Sequence, residues 1–128
     1  ICIFNYLIGN TDNHIKNVSL LYDEELKTVR LAPAYDILST VIYTSSTRDM
    51  AFSIGNEYDI EKITRDSFRR EAANIGLGEQ MAMKRFDYLA NAFPYALNKA
   101  CDELLGKGFN KAIDIYERIR DKRREFIS

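Results

Sequence analysis

The sequence has few of the residues that build covalent or metal-bound frameworks. Its two cysteines, Cys2 and Cys101, stand far apart without a C-x-x-C pair, and its single histidine is His14, so neither a disulfide framework nor a zinc site is predicted. Long apolar runs are also missing. Residues 1–8 are largely apolar but too short to span a bilayer, and no charged segment precedes them as in a signal peptide. We therefore expect no membrane segment and a cytoplasmic location.

A surplus of charge of one sign is absent as well. Lysine and arginine number 18 against 19 aspartates and glutamates, and the net charge of -1 gives no support for direct binding to a polyanion such as DNA. Basic residues gather near the C-terminus among acidic ones, which is typical of a solvated helix face, although a nucleic-acid patch is the alternative. A chain of 128 residues, 46% of them hydrophobic, suits one domain spanning residues 1–128.

Glycine-rich loops that hold nucleotide phosphates are missing too. The sequence contains neither G-x-G-x-x-G nor G-x-x-x-x-G-K-[ST], and no strand with a lysine of the V-A-I-K type. It does contain Asp12 and Asn17, which match the D-x-x-x-x-N spacing of a kinase catalytic loop. In such a loop the aspartate takes the proton of the substrate hydroxyl and the asparagine binds magnesium.

Asp36 lies on a separate segment and completes the predicted metal site. Mg²⁺ prefers oxygen ligands and keeps several waters, so Asn17, Asp36 and the nucleotide phosphates would suffice. Between these two residues, 18–22 and 28–32 are short runs of strand-forming residues around a polar loop, which predicts a hairpin. Because the two ends of a hairpin lie side by side, we expect it to bring Asn17 and Asp36 together.

Other interpretations of these residues stay open. Asp12 and Asn17 are residue types that are common in turns, and Asp36 is suited to cap a short helix after it. His14 is either a general base or a supporting residue of the loop, and the second is favoured because Asp12 already supplies a base. Lys16 either contacts a phosphate of the nucleotide or is a solvated lysine.

The two segments together resemble a known family. Residues 11–19 and 31–39 are similar to the D-x-H-x-K-N-x-S and P-x-Y-D-I patterns of HipA-type toxin kinases, and residues 50–55 resemble a segment that follows in that family. Asn13 departs from the pattern, because glycine is common at this position in the family. The departure is mild, since asparagine tolerates a left-handed backbone better than most residues.

The resemblance implies a serine/threonine protein kinase with a two-lobed, kinase-like fold, commonly the toxin of a toxin-antitoxin pair. It implies Asp12 as the catalytic base, Asn17 and Asp36 as magnesium ligands, and ATP as the phosphoryl donor. The expected partners are a protein substrate and a helix-turn-helix antitoxin, with DNA contacted only indirectly through the antitoxin. Because the nucleotide-covering part is missing, we expect the chain to be a fragment, the C-terminal lobe of such a kinase, and inactive by itself.

Two other functions stay open at this point. A lipid or small-molecule kinase shares the Asp-x-His-x-x-Asn spacing, although such kinases usually have Asp-Phe-Gly where this chain has the segment 33–36. A non-catalytic remnant of a kinase would instead bind an antitoxin or another partner.

The remaining pattern is mainly helical. Helices are predicted over residues 1–8, 64–76, 79–105 and 110–126. Pro94 should bend the third helix, because proline has no amide to donate to the carbonyl of Ala90. The last helix is expected to bury Ile113, Tyr116 and Ile119, whereas residues 40–56 lack periodicity and predict a surface loop. The predicted fold class is therefore mainly α, a lobe of helices with one small β-hairpin that carries the catalytic and metal-binding loops.

Overall fold

The computed structural model describes residues 1–12, 20–22, 24–25, 28–31, 39–40, 42–43 and 47–126. Helices dominate these ranges, and two small antiparallel hairpins accompany them. The elements are α1 (Cys2–Ile8), β1 (Leu20–Tyr22), β2 (Val29–Leu31), β3 (Asp49–Ile54), β4 (Glu57–Asp59), α2 (Arg65–Asn74), α3 (Glu79–Gly106) and α4 (Ala112–Phe126). The mainly helical class predicted from the sequence is confirmed. Among these helices, none has both the length and the apolar character needed to cross a membrane.

The core forms where α1 meets α2 and α3. Tyr6 of α1 is 1% exposed, and its ring lies 5.2 Å from the ring of Phe68 on α2, which in turn lies 5.1 Å from Phe86 on α3. The Tyr6 hydroxyl donates to the carbonyl of Ile63 at 2.8 Å. Burial raises the pKa of Tyr6 to about 12, so the hydroxyl keeps its proton and remains a donor at neutral pH.

The boundaries of α2 follow its local sequence as predicted. Thr64 adopts an extended backbone before the helix, and the Thr64 amide donates to Ser67 Oγ at 3.0 Å, so a capping box starts the helix. Asp66 in the first turn pairs with two exposed arginines, Arg69 and Arg70. After Asn74 the chain leaves the helix, and Gly76 takes the left-handed conformation with φ 74°.

The prediction for α4 is correct in position and partly wrong in orientation. Ile119 is buried and Tyr116 is half-buried, but Ile113 is 48% exposed. Ala112 is buried in its place, because Ala112 and Ile119 lie seven residues apart on one helix face. Successive residues of a helix are rotated by about 100°, so the Ile113 side chain points away from that face.

Pro94 lies inside α3, which continues through it from Glu79 to Gly106. Proline leaves the carbonyl of Ala90 without its helical donor, and Arg123 of α4 supplies one: Arg123 Nη2 donates to Ala90 O at 2.9 Å. The same guanidinium lies over the ring of Phe93, 5.2 Å from its centroid. Partial burial lowers the pKa of Arg123, which is therefore no part of a fully solvated basic face.

The sequence predicted the first of the two hairpins and missed the second. The first is confirmed: β1 and β2 pair antiparallel, with Leu20 opposite Leu31. The second corrects the surface loop expected over residues 40–56, because β3 and β4 form an antiparallel pair closed by Gly55 and Asn56. Both turn residues have positive φ, 60° and 67°, as a tight type I′ hairpin turn requires.

The second hairpin is held against α2 at its turn. The Gly55 amide donates to Glu71 Oε2 at 2.9 Å, and a Cβ at this position would lie 2.6 Å from the carbonyl oxygen of Ser67. Glycine is required here twice over, by the left-handed backbone and by the close approach to a helix. The period-two pattern of β3 is weak because Phe52, between the buried Met50 and Ile54, is 45% exposed.

The pairing of Arg123 with the carbonyl of Ala90 can be tested by a double-mutant cycle with Pro94. Arg123→Met should lower the free energy of unfolding by about 1–3 kcal/mol, because a carbonyl in the helix interior loses this donor. In a Pro94→Ala background residue 94 supplies an amide, so the same replacement should cost about 1 kcal/mol less. Urea unfolding of the wild type, the two single variants and the double variant measures the loss of unfolding free energy in each background. Equal losses in the two backgrounds would contradict the pairing.

Candidate functional site

The candidate site begins where α1 ends. Gly9 adopts the left-handed conformation with φ 74° and ψ 45°, which terminates the helix after Ile8. The Gly9 amide donates to the carbonyl of Tyr6 at 3.1 Å. The chain therefore leaves the helix in a fixed direction, directly before the segment that contains the predicted catalytic base.

Asn10 anchors this segment to the helix. It is 1% exposed, its amide donates to the carbonyl of Asn5 at 2.8 Å, and its side-chain Nδ2 donates to Asn5 Oδ1 at 2.9 Å. Asn10 Oδ1 also accepts the amide of Asp12 at 3.0 Å. The Asn10 side chain thus uses its donor and its acceptor at once, and it fixes the backbone of Asp12 relative to α1.

A second connection joins this segment to Thr40. Thr40 Oγ1 accepts the Thr11 amide at 2.9 Å, lies 2.6 Å from the Thr11 hydroxyl, and is 3.2 Å from the carbonyl oxygen of Gly9. When Thr40 donates its proton to Gly9 and accepts from both groups of Thr11, its hydroxyl makes all the hydrogen bonds available to it. The Thr40 amide donates to the same Gly9 carbonyl at 2.9 Å. We call this group of residues, Gly9, Thr11 and Thr40, the threonine clasp.

Asp12 follows the clasp and is exposed to solvent. Its backbone is held by the buried Asn10 through the Asp12 amide, while its side chain lies at the surface. The other residues predicted for the site lie outside the described part of the chain: His14, Lys16, Asn17 and Asp36. Within the described ranges, no group of three or more His, Cys, Asp or Glu residues is arranged to hold a metal ion.

The described residues nevertheless frame the segments that contain the predicted metal ligands. Leu20 and Leu31 are paired across the first hairpin, and Asn17 and Asp36 precede and follow these two residues in the sequence. Ser39, just before Thr40, is 7% exposed, and its buried hydroxyl has no hydrogen-bond partner among the residues that the structure describes. Sequence reasoning identified neither Asn10 nor Thr40 as part of the site. A sequence pattern offers no signal for the Thr11–Thr40 contact, which joins residues 29 positions apart.

A groove lies between α3 and α4, and it is chemically unlike a phosphate site. It encloses about 190 Å³, which is small for a ligand pocket. The lining is almost entirely apolar, and Tyr116 is its most polar member. A triphosphate needs amide donors and positive charge, which this lining does not provide. The groove therefore does not compete with the segment around Asp12 as a nucleotide site.

Comparison with known proteins identifies similar sequences. Residues 1–97 match the family model described as HipA-like C-terminal domain. The candidate kinase Y4mE of Sinorhizobium fredii is 33% identical over 101 residues, which cover 79% of this chain and 24% of that protein. The serine/threonine-protein kinase toxin HipA of Shewanella oneidensis is 26% identical over 95 residues, which cover 74% of this chain and 22% of the toxin. This chain thus spans about a quarter of the length of these relatives.

A solved structure shows the same fold. In the complex of the Shewanella oneidensis MR-1 toxin-antitoxin system HipA and HipB with its operator DNA, one chain matches with a TM-score of 0.79 and 21% sequence identity. The match covers 98% of this chain and 30% of that chain. The helices and hairpins described above are therefore an arrangement already known in a larger protein.

The anchoring role of Asn10 leads to a stability prediction. Asn10→Ala should lower the free energy of unfolding by about 1–3 kcal/mol, because the Asn5 side chain and the Asp12 amide both lose a partner. Asn91→Ala is the matched control, since Asn91 is exposed on α3 and its replacement should change stability by about 0.5 kcal/mol or less. Thermal denaturation measures both, and similar losses would contradict the anchoring role.

Proposed function

This chain belongs to the family of HipA-like C-terminal domains, and from this we propose that the complete protein is a kinase that transfers the γ-phosphoryl group of ATP to a serine or threonine hydroxyl of a protein. The family membership and two relatives with kinase names support phosphoryl transfer. The choice of a protein hydroxyl as the acceptor follows the name of one relative, the serine/threonine-protein kinase toxin of Shewanella oneidensis.

One structural observation carries this proposal: the threonine clasp connects the segment of Asp12 to the segment that follows Asp36. Thr11 directly precedes Asp12, and Thr40 is four positions after Asp36. Four residues of chain span at most about 14 Å, so Asp36 lies within that reach of Thr40. The clasp therefore limits how far apart the proposed base and the proposed metal ligand can be.

The first hairpin limits the position of Asn17 in the same way. Asn17 is three positions before Leu20, and Asp36 is five positions after Leu31, its partner across the hairpin. These lengths of chain reach at most about 11 Å and 18 Å from the paired residues. Because Leu20 and Leu31 are paired, the chain enters β1 and leaves β2 at the same end of the hairpin, which supports the proposal of a shared metal ion.

Each residue then has a distinct role in the proposed reaction. Asp12 accepts the proton of the attacking hydroxyl, and the loop residue His14 supports its orientation. Asn17 and Asp36 supply an amide oxygen and a carboxylate, a donor set that suits Mg²⁺, and Lys16 contacts a phosphate. A magnesium ion bound there would neutralise charge on the nucleotide phosphates.

We propose further that the complete protein acts within a toxin-antitoxin pair. The structural neighbour is a complex of HipA with HipB and operator DNA, which supports an antitoxin as the partner of this protein. A helix-turn-helix antitoxin would supply the contact with DNA, and the near-neutral charge of this chain is consistent with an indirect contact.

The base assignment can be tested in the complete native protein. Asp12→Asn is nearly isosteric but cannot take a proton, so it should lower kcat about 100-fold or more in a radiometric assay with ATP. Asp102→Asn, an exposed aspartate on α3, is the matched control and should keep the wild-type rate. A wild-type kcat in the Asp12→Asn protein would show that Asp12 is not the base.

The shared metal site predicts a pattern across three variants. Asn17→Ala and Asp36→Ala should each raise the Mg²⁺ concentration that gives half-maximal rate, and Asp36→Ala should raise it more because a full negative charge is lost. In the double variant this Mg²⁺ concentration should rise by less than the product of the two single increases, since ligands of one ion act as a unit. Mg²⁺ titration of the rate measures all three. Multiplicative effects would mean that the two residues serve separate sites.

A further inference from the structure

We infer that Thr40 is a positioning residue of the proposed reaction, whose hydroxyl holds the segment of Asp12 at a fixed place relative to the segment that follows Asp36. This inference rests on the proposed function and extends it to a residue outside both sequence motifs. Thr40 itself contacts neither the substrate nor the metal ion in this scheme. It acts through the backbone of Gly9 and Thr11.

The geometry concentrates four contacts on one residue. The Thr40 amide and hydroxyl lie 2.9 Å and 3.2 Å from the carbonyl oxygen of Gly9, while the Thr11 amide and hydroxyl lie 2.9 Å and 2.6 Å from Thr40 Oγ1. Thr11 is 4% exposed, and Thr40 is half-buried. These hydrogen bonds are part-buried and so partly shielded from competing water, which favours one arrangement of the two segments.

The position of the clasp in the sequence connects it to the chemistry. On one side it is adjacent to Asp12, whose amide is also held by Asn10 Oδ1 at 3.0 Å. On the other side it lies four positions from Asp36. Phosphoryl transfer depends on the relative placement of the base, the metal ligands and the phosphates, and small misplacements reduce the rate strongly. Loss of the clasp contacts should therefore raise the Mg²⁺ concentration needed for half-maximal rate and lower kcat.

Valine is the sharpest replacement because it keeps the shape of threonine and removes its hydroxyl. Thr40→Val leaves the amide contact with Gly9 in place, but the Thr11 amide and hydroxyl lose their acceptor. Thr40→Ser keeps the hydroxyl and loses one methyl group, so it should rescue the contacts. The pair of variants separates the hydrogen bonds of residue 40 from its packing.

The test uses the complete native protein and measures phosphoryl transfer as Mg²⁺ is titrated, well below the melting temperature. Thr40→Val should raise the Mg²⁺ concentration for half-maximal rate about tenfold and lower kcat, as the loss of a supporting residue behind a metal ligand does. Thr40→Ser should stay within about twofold of wild type on the same reasoning. Ile119→Val, a buried change in α4 at a residue that is not part of the clasp, controls for a general loss of stability and should leave the Mg²⁺ dependence unchanged.

Hydrogen exchange at the Thr11 amide reports the clasp without any activity. This amide should exchange about tenfold faster in Thr40→Val than in wild type, and at the wild-type rate in Thr40→Ser. If Thr40→Val does not fold, Thr11→Val takes its place, because it removes one hydroxyl of the clasp and should raise the Mg²⁺ requirement in the same direction.

The outcomes distinguish this inference from the proposed function. A wild-type protein that transfers no phosphoryl group overturns the proposed function, and the positioning role falls with it. An active wild type together with an unchanged Mg²⁺ dependence in Thr40→Val overturns the positioning role alone. Equal Thr11 exchange in wild type and Thr40→Val overturns the clasp itself. A raised Mg²⁺ requirement that serine rescues and Ile119→Val does not reproduce supports the inference.

Discussion

The candidate site depends on how a helix of seven residues is held in place. A helix as short as α1 is not stable by itself in water, so its position comes from its buried side chains. Tyr6 contributes in two ways: its ring packs against Phe68, and its hydroxyl donates to the carbonyl of Ile63. Gly9, Asn10 and Thr11 continue directly from α1, so a shift of α1 would move the backbone of Asp12 with it.

Polar contacts take over where the apolar packing of α1 ends. Asn5 and Asn10 are both nearly inaccessible to water, and their side chains pair with each other, while Asn10 Oδ1 also accepts the amide of Asp12. Unpaired, such buried groups would be costly, so the contacts favour one arrangement of the chain over its alternatives. The molecule thus places an exposed carboxylate, Asp12, at the end of a well-buried polar support.

The sequence predicts features whose signals are local and misses those that join distant residues. Thr64 and Gly76 carry the chemistry of a helix start and a helix stop, and both were predicted correctly. The second hairpin also has a local signal, the Gly55-Asn56 pair, but the weak alternation of β3 concealed it. Ile113 was placed on the wrong face because a small residue, Ala112, fills the contact.

Within the site, sequence spacing led to Asp12, which the structure shows as an exposed residue with an anchored backbone amide, and its role as the base stays a prediction. The roles of Asn17 and Asp36 remain predictions, since these residues lie outside the described ranges. Thr40 and Arg123 could not have been found in this way. Each acts on a backbone group 29 or more positions away, and that pairing exists only once the helices have packed.

The contact between Arg123 and the carbonyl of Ala90 also decides how α4 is aligned along α3. Two helices that meet through apolar side chains can often shift by one turn, about 5.4 Å, and bury a similar area. Pro94 makes the Ala90 carbonyl different from its neighbours in α3, because that oxygen lacks its helical amide donor. An arginine that reaches this particular oxygen therefore favours the alignment in which these two groups meet. Pro94, a residue type that usually disrupts a helix, thus helps to define how α3 and α4 pack together.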